Sequence, residues 1–163
     1  MHQTMTDNSS EAGSLSQNLI GTWQLISRID RTKSGERRLE PLLGDDPVAL
    51  LYYDRSGHFA AQFMKRDRTA ATASDEGSVR AGTAGPNNSR ARGGYDAYFG
   101  TYTVDNVRGT VTQRLLGALS PENVGQELTR AMTVEGSALT ITLETATASG
   151  EPVTRTLTWQ RLA

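Results

Sequence analysis

Two short segments at opposite ends of the chain constrain the fold more than any other feature. Gly21-Thr22-Trp23 opens the first alternating segment, and Arg161 closes the last one. A closed barrel must pair its first strand with its last, or it keeps an open edge. An arginine over an indole face contributes about 0.5–2 kcal/mol, depending on desolvation. We predict that Gly21, Trp23 and Arg161 form a staple between the two ends of a β-barrel. The alternative is that Trp23 and Arg161 are unrelated core and surface residues.

The remaining segments have the two-residue period of strands. Trp23, Leu25, Ser27 and Ile29 alternate with their neighbours, which predicts a half-buried strand with these four residues on one face. Turn signals such as residues 54–57 separate eight or nine short segments at roughly 10-residue spacing. This spacing indicates an all-β protein built as an antiparallel up-and-down barrel of 8–9 strands.

The chain is expected to divide into a lead-in, one domain and a flap within that domain. Residues 1–17 are polar and predict a disordered lead-in, and residues 18–163 form the barrel. Residues 65–94 are rich in Ala, Gly, Ser, Thr and Arg, which is typical of a mobile flap over a site. A short helix is a further expectation at its end, around residues 95–98.

Composition excludes several functional classes. The chain has 17 basic and 18 acidic residues and a net charge of −1, which gives no reason to expect nucleic acid or an anionic membrane as a partner. It has neither a secretory signal nor a long apolar run, so we expect a cytoplasmic protein without membrane spans. With no cysteine and two histidines, we expect no metal site and no cofactor. The sequence does not indicate the oligomeric state.

Several longer stretches match a known family in order and spacing. They are LIGTWQLIS, EPLLGDDPVALLYYDRSGHFAAQFMKRDR, YDAYFGTYTVD, GTVTQRLLG and LTWQRL. The chain resembles the bacterial and fungal lipocalin-like domain family of calycin-type barrels over about residues 19–162. The resemblance implies a barrel with one closed end and a cavity that binds small apolar molecules. Some relatives act as isomerases or cyclases in natural-product biosynthesis. Where Gln113 stands the family often has histidine, so no histidine role carries over.

Strand alternation suggests which side chains line that cavity. We expect these ligand-binding residues to be Tyr53, Gln62, Met64, Tyr98, Tyr102, Gln113 and Trp159. Gln62 could anchor a ligand carbonyl or hydroxyl, and Tyr102 could donate a hydrogen bond or act as a weak acid. Both polar groups could equally be satisfied by the barrel wall.

Arginines on the later strands are the remaining candidates. Arg130 and Arg155 lie in predicted strands, and a buried arginine requires a carboxylate or an anionic ligand. Glu127 or Glu144 could pair with Arg130 across strands, which is the structural alternative to ligand binding. His58 follows a turn glycine and is expected at an exposed hairpin tip.

Three functional hypotheses follow. The first is a barrel that binds a small apolar molecule. The second is a cofactor-independent isomerase or cyclase acting on a polyketide- or terpene-like substrate, with Tyr102, Gln62 and Arg130 as catalytic hydrogen-bond donors. The third is a ligand-free interaction module, which predicts a plugged interior without a pocket above about 300 Å³.

Overall fold

The computed structural model describes residues 14–68 and 88–163. Within these residues, one helical turn, α1 (Leu15–Asn18), precedes nine strands, and a 3-10 turn (Pro121–Asn123) lies between the sixth strand and the seventh. The strands are β1 (Gly21–Arg31), β2 (Arg37–Arg38), β3 (Val48–Tyr53), β4 (His58–Met64), β5 (Tyr95–Asp105), β6 (Thr110–Ala118), β7 (Glu127–Glu135), β8 (Ala138–Ala146) and β9 (Pro152–Arg161).

Eight of these strands close into an antiparallel barrel. Strands β3 to β9 pair in chain order, and β1 pairs with both β3 and β9. The short strand β2 pairs with the last two residues of β1. The predicted all-β class and up-and-down lipocalin-like barrel of 8–9 strands are confirmed.

A β-bulge in β1 decides which of its side chains face the interior. The register between β1 and β9 shifts just after Leu25. Trp23 is buried before the bulge, and Arg28 and Asp30 are buried after it. A bulge adds one residue to one strand, so the residues beyond it exchange faces. The prediction that Ile29 shares the inner face with Trp23 is therefore wrong.

The staple residues meet at one end of the barrel. The Arg161 guanidinium carbon lies 4.3 Å from the centre of the Trp23 ring. Arg161 also donates to the Ile20 carbonyl at 2.7 Å, and the Trp23 indole donates to the Leu19 carbonyl at 2.9 Å. A Cβ on Gly21 would lie 2.6 Å from a carbonyl oxygen of the last residue, so only glycine fits there. These contacts close this end, called the closed end below.

The predicted lead-in and flap are only partly described. Residues 1–13 and 69–87 lie outside the described residues. Leu15 of α1 is buried in the core, so the last part of the predicted lead-in belongs to the fold. The first and last residues of the predicted flap lie side by side, because the Lys65 amide donates to the Gly94 carbonyl at 2.7 Å. Residues 95–98 begin β5, so the suggested helix there is wrong. Among the described residues, no helix has the length and apolar character needed to cross a membrane.

Candidate functional site

An internal cavity of about 150 Å³ lies in the half of the barrel opposite the closed end. Segments 39–43, 88–91 and 146–148 form its mouth. Its apolar wall consists of Leu51, Phe63, Ile141, Leu143, Leu157 and Trp159. The remainder of the wall is polar, and several of its groups are charged.

Two ion pairs hold charged groups in this wall. Arg155 donates both Nε and Nη2 hydrogens to the Asp30 carboxylate, at 2.7 and 2.9 Å, and both side chains are buried. Arg28 donates to Glu40 at 3.1 Å. The two-bond geometry of the first pair fixes both partners and offsets part of their desolvation.

Arg130 lies in the same wall, beside two tyrosine hydroxyls. Burial lowers its pKa, and the neighbouring hydroxyls of Tyr98 and Tyr53 oppose this effect. Arg130 also forms a hydrogen bond with Tyr98. Because its guanidinium lies in the cavity wall, it is available to an anionic or oxygen-bearing group there.

The expected cross-strand partners of Arg130 lie elsewhere. Glu127 and Glu144 are exposed on the outer face of the barrel. There Glu127 lies 3.7 Å from Arg114, and Glu144 accepts a hydrogen bond from Thr154 at 2.9 Å. The predicted pairing is therefore wrong, because inner and outer residues alternate along β7 and β8 and Arg130 faces inward.

Asp96 on β5 is a buried carboxyl in the cavity wall. Its Oδ2 accepts a hydrogen bond from the Ser89 hydroxyl at 2.5 Å, and its Oδ1 has no partner. Burial raises the pKa of Asp96 to about 6, although the Ser89 hydrogen bond, the Ala97 amide and the charge of Arg28 lower it. The side chain is therefore ready to exchange a proton near neutral pH.

Three polar side chains of the wall each present an atom without a hydrogen-bond partner. They are Asp96 through Oδ1, Gln113 through its amide oxygen Oε1, and Trp159 through its indole N–H. The other end of the Gln113 amide bonds the Tyr53 hydroxyl at 2.6 Å. All three side chains are at least 96% buried, since their exposures are 4%, 3% and 1%. Buried polar groups are nearly always satisfied, so three such groups on one cavity require an explanation. We call Asp96, Gln113 and Trp159 the polar cluster.

The ring of Phe63 connects two members of this cluster. Phe63 is the cross-strand neighbour of Asp96, and its ring centre lies 5.8 Å from that of Trp159. The polar cluster therefore surrounds apolar surface. A ligand in this cavity would meet aromatic and aliphatic groups along its body and hydrogen-bonding groups at its edge.

Five of the candidate residues from the sequence line the cavity: Tyr98, Gln113, Arg130, Arg155 and Trp159. Tyr53 is buried inside the barrel but does not line the cavity, and its hydroxyl accepts a hydrogen bond from Gln113. Tyr102 lies nearer the closed end, where its ring packs edge-on against Tyr53 at 4.8 Å and its hydroxyl donates to the Asp54 carbonyl at 2.6 Å.

Gln62 and Met64 lie on the outside of the barrel. On β4 the buried residues are Phe59, Ala61 and Phe63, so the alternate positions face outward. Gln62 is exposed and accepts a hydrogen bond from the Tyr95 hydroxyl at 2.8 Å. The expectation that Gln62 and Met64 face the interior is wrong, because the phenylalanines determine the inner face of this strand.

The sequence analysis did not identify Arg28, Asp30, Glu40 or Asp96 as site residues. Arg28 and Asp30 were hidden by the bulge in β1. Asp96 was detectable, because it is two residues from Tyr98 and the strand period places both on one face. Within the described residues, no group of three His, Asp or Glu side chains could hold a metal ion.

A closed antiparallel barrel with one stapled end and an internal cavity is the architecture of the small-ligand-binding barrels. The family model of the lipocalin-like domain matches residues 20–162. The chain therefore belongs to the lipocalin-like domain family. A comparison with curated proteins found no match. The family and fold indicate ligand binding in general.

Proposed function

We propose that the protein binds a small molecule with an apolar body and an oxygen-bearing head in its barrel cavity. The observation that carries this proposal is the polar cluster, whose three side chains line one cavity and each hold a buried atom without a hydrogen-bond partner. Leaving such a group without a partner costs about 1–3 kcal/mol, and a bound ligand that satisfies it recovers that energy. Apolar burial against Phe63, Leu157 and the Trp159 ring supplies the remaining affinity.

The size of the cavity limits the ligand. A cavity of about 150 Å³ matches one benzene-sized ring and is below the roughly 300–1,000 Å³ of pockets for drug-sized molecules. This small volume is also what a ligand-free interaction module would have. The polar cluster favours the binding function, because a filled barrel gains nothing from three unsatisfied polar groups.

The test is a thermal-shift and calorimetric comparison of toluene, phenol and benzoate. The three probes share one ring and differ in the head group. We expect phenol to bind more tightly than toluene, and benzoate tests whether the oxygen-bearing head can carry a charge. Trp159→Phe keeps the aromatic packing but removes the indole N–H, so it should weaken the oxygen-bearing probes and leave toluene unchanged.

Thr145→Val is the matched control. Thr145 Oγ1 is also buried without a partner, but Thr145 is not among the cavity-lining residues. This variant should bind all three probes as the wild type does. Failure of every probe to bind, or equal effects of the two variants, would contradict the proposal.

A second candidate function is the cofactor-independent isomerase or cyclase. One observation favours it: Asp96 is a carboxyl in the ligand cavity with a pKa raised to about 6 by burial, which suits a general acid or base. This function would depend on Asp96 and Arg130 rather than on Tyr102 and Gln62. It requires conversion of a bound compound, with loss of conversion in Asp96→Asn.

A further inference from the structure

The cavity wall carries a net positive charge, and the protonation state of Asp96 sets its size. Four arginines belong to the wall: Arg28, Arg90, Arg130 and Arg155. The wall also holds three acids: Glu40, which pairs with Arg28, Asp30, which pairs with Arg155, and Asp96. Four positive and three negative charges leave the wall with one net positive charge when Asp96 is ionised. When Asp96 is protonated, the wall carries two net positive charges.

The position of Asp96 means that its charge determines whether an anion can bind in the cavity. Asp96 lines the cavity and its buried Oδ1 has no hydrogen-bond partner, so a negative ligand atom in the cavity would lie close to an uncompensated carboxyl oxygen. Two like charges in a closed, poorly solvated space repel strongly unless one is neutralised by a proton. A protonated Oδ1 would instead be a donor, and it could hydrogen-bond the same ligand atom.

The charged and hydroxyl groups that share the cavity wall with Asp96 come from six parts of the chain. They are Arg28 and Asp30 on β1, Glu40 before β3, Arg90 and Ser89 before β5, Tyr98 on β5, Arg130 on β7 and Arg155 on β9. Among these, the acids pair with arginines, whereas Asp96 is held by the Ser89 hydroxyl. Asp96 is therefore the wall carboxyl that can take up a proton without breaking an ion pair.

We infer that the ligand of this cavity is the anion of a small carboxylic acid, and that it binds together with one proton taken up by Asp96. This inference rests on the proposed function and names the head group that the site selects. No bond to carbon forms or breaks: the solvent supplies the proton, Asp96 Oδ1 accepts it, and dissociation of the ligand returns it. Asp96 is then a specificity-determining residue, because its ionised form rejects anions.

The test is titration with benzoate by calorimetry between pH 6 and pH 8, where benzoate stays ionised. We expect the affinity to fall by at least about tenfold over this range, since proton-coupled binding weakens by up to tenfold per pH unit above the carboxyl pKa. Calorimetry at pH 8 in two buffers with different ionisation enthalpies should report uptake of close to one proton per benzoate bound.

Asp96→Asn should increase the affinity for benzoate, a result that a misfolded variant would not give. The neutral amide removes the repulsion, so benzoate should bind this variant at least about tenfold more tightly than the wild type at pH 8. Its affinity should no longer depend on pH. Thr145→Val should keep both the affinity and the pH dependence of the wild type.

Phenol distinguishes failure of this inference from failure of the proposed function. If phenol binds, but benzoate either does not bind or binds with the same affinity at pH 6 and pH 8, the inference is overturned and the proposed function stands. If neither probe binds, both are overturned. If Asp96→Asn binds benzoate no better than the wild type at pH 8, the inference is overturned.

Discussion

Replacing Asp96 with asparagine should change stability in a pH-dependent way. Burial raises the pKa of this carboxyl from its ordinary 3.8 to about 6, so the folded state holds the proton more tightly than the unfolded state. A group with a raised pKa stabilises the fold relatively more at low pH, and this contribution is lost as the pH rises through about 6. Above that pH the ionised Asp96 destabilises the protein.

The size of this effect follows from the shift. About two pKa units at about 1.4 kcal/mol each give a cost of about 3 kcal/mol at pH 8. About 2 kcal/mol of that cost should disappear between pH 8 and pH 4.5, as protons bind. Asparagine has no charge to bury, but its NH₂ group replaces one acceptor oxygen, which costs about 1 kcal/mol at every pH. The free energy of unfolding of Asp96→Asn, taken relative to that of the wild type, should therefore rise by about 2 kcal/mol between pH 4.5 and pH 8.

Urea unfolding at these two pH values measures this gain. Asp45→Asn, at an exposed aspartate, is the matched control and should show no comparable change with pH. If the free-energy difference between Asp96→Asn and the wild type is the same at both pH values, Asp96 is not the buried carboxyl with a raised pKa described above.

Three further predictions concern the barrel itself. Arg155→Leu should lower the free energy of unfolding by about 3–5 kcal/mol, because it leaves the Asp30 carboxylate buried and uncompensated; in urea unfolding, adding Asp30→Leu should restore most of the loss. A double variant no more stable than Arg155→Leu would contradict the importance of that buried charge. Arg161→Ala removes a stack on Trp23 worth about 0.5–2 kcal/mol, so calorimetry should show a lower melting temperature with unchanged probe affinity. Gly100→Ala would place a Cβ 1.8 Å from a backbone carbonyl of β6, so we expect little folded protein by circular dichroism; a variant as stable as the wild type would refute this packing.

The closed architecture was predictable because its signals are local and repeated. Turn residues such as Gly57, with a positive φ of 89°, terminate strands wherever the sequence predicts a hairpin. The pairing of Trp23 with Arg161 follows from the need to join the first and last strands. None of this depends on the ligand.

The site was less predictable because a face assignment fails wherever the register slips. One extra residue after Leu25 turns Arg28 and Asp30 inward, and a periodic pattern contains no sign of that bulge. On β4 both faces carry small or apolar residues, so the sequence alone could not exclude Gln62 from the interior. The unsatisfied atoms of Gln113 and Trp159 become visible only when every neighbouring side chain is in place.

The two indole N–H signals of the protein test the central claim most directly. The chain has two tryptophans, so a ¹⁵N-labelled sample gives two indole signals, which Trp159→Phe assigns. Trp23 is an internal control, because its N–H is already bonded to the Leu19 carbonyl at the closed end. On titration with benzoate at pH 6 and with phenol, we expect the Trp159 signal to move with saturation while the Trp23 signal stays in place. If the Trp159 signal does not respond to either probe, or if both signals move together, the cavity is not the binding site.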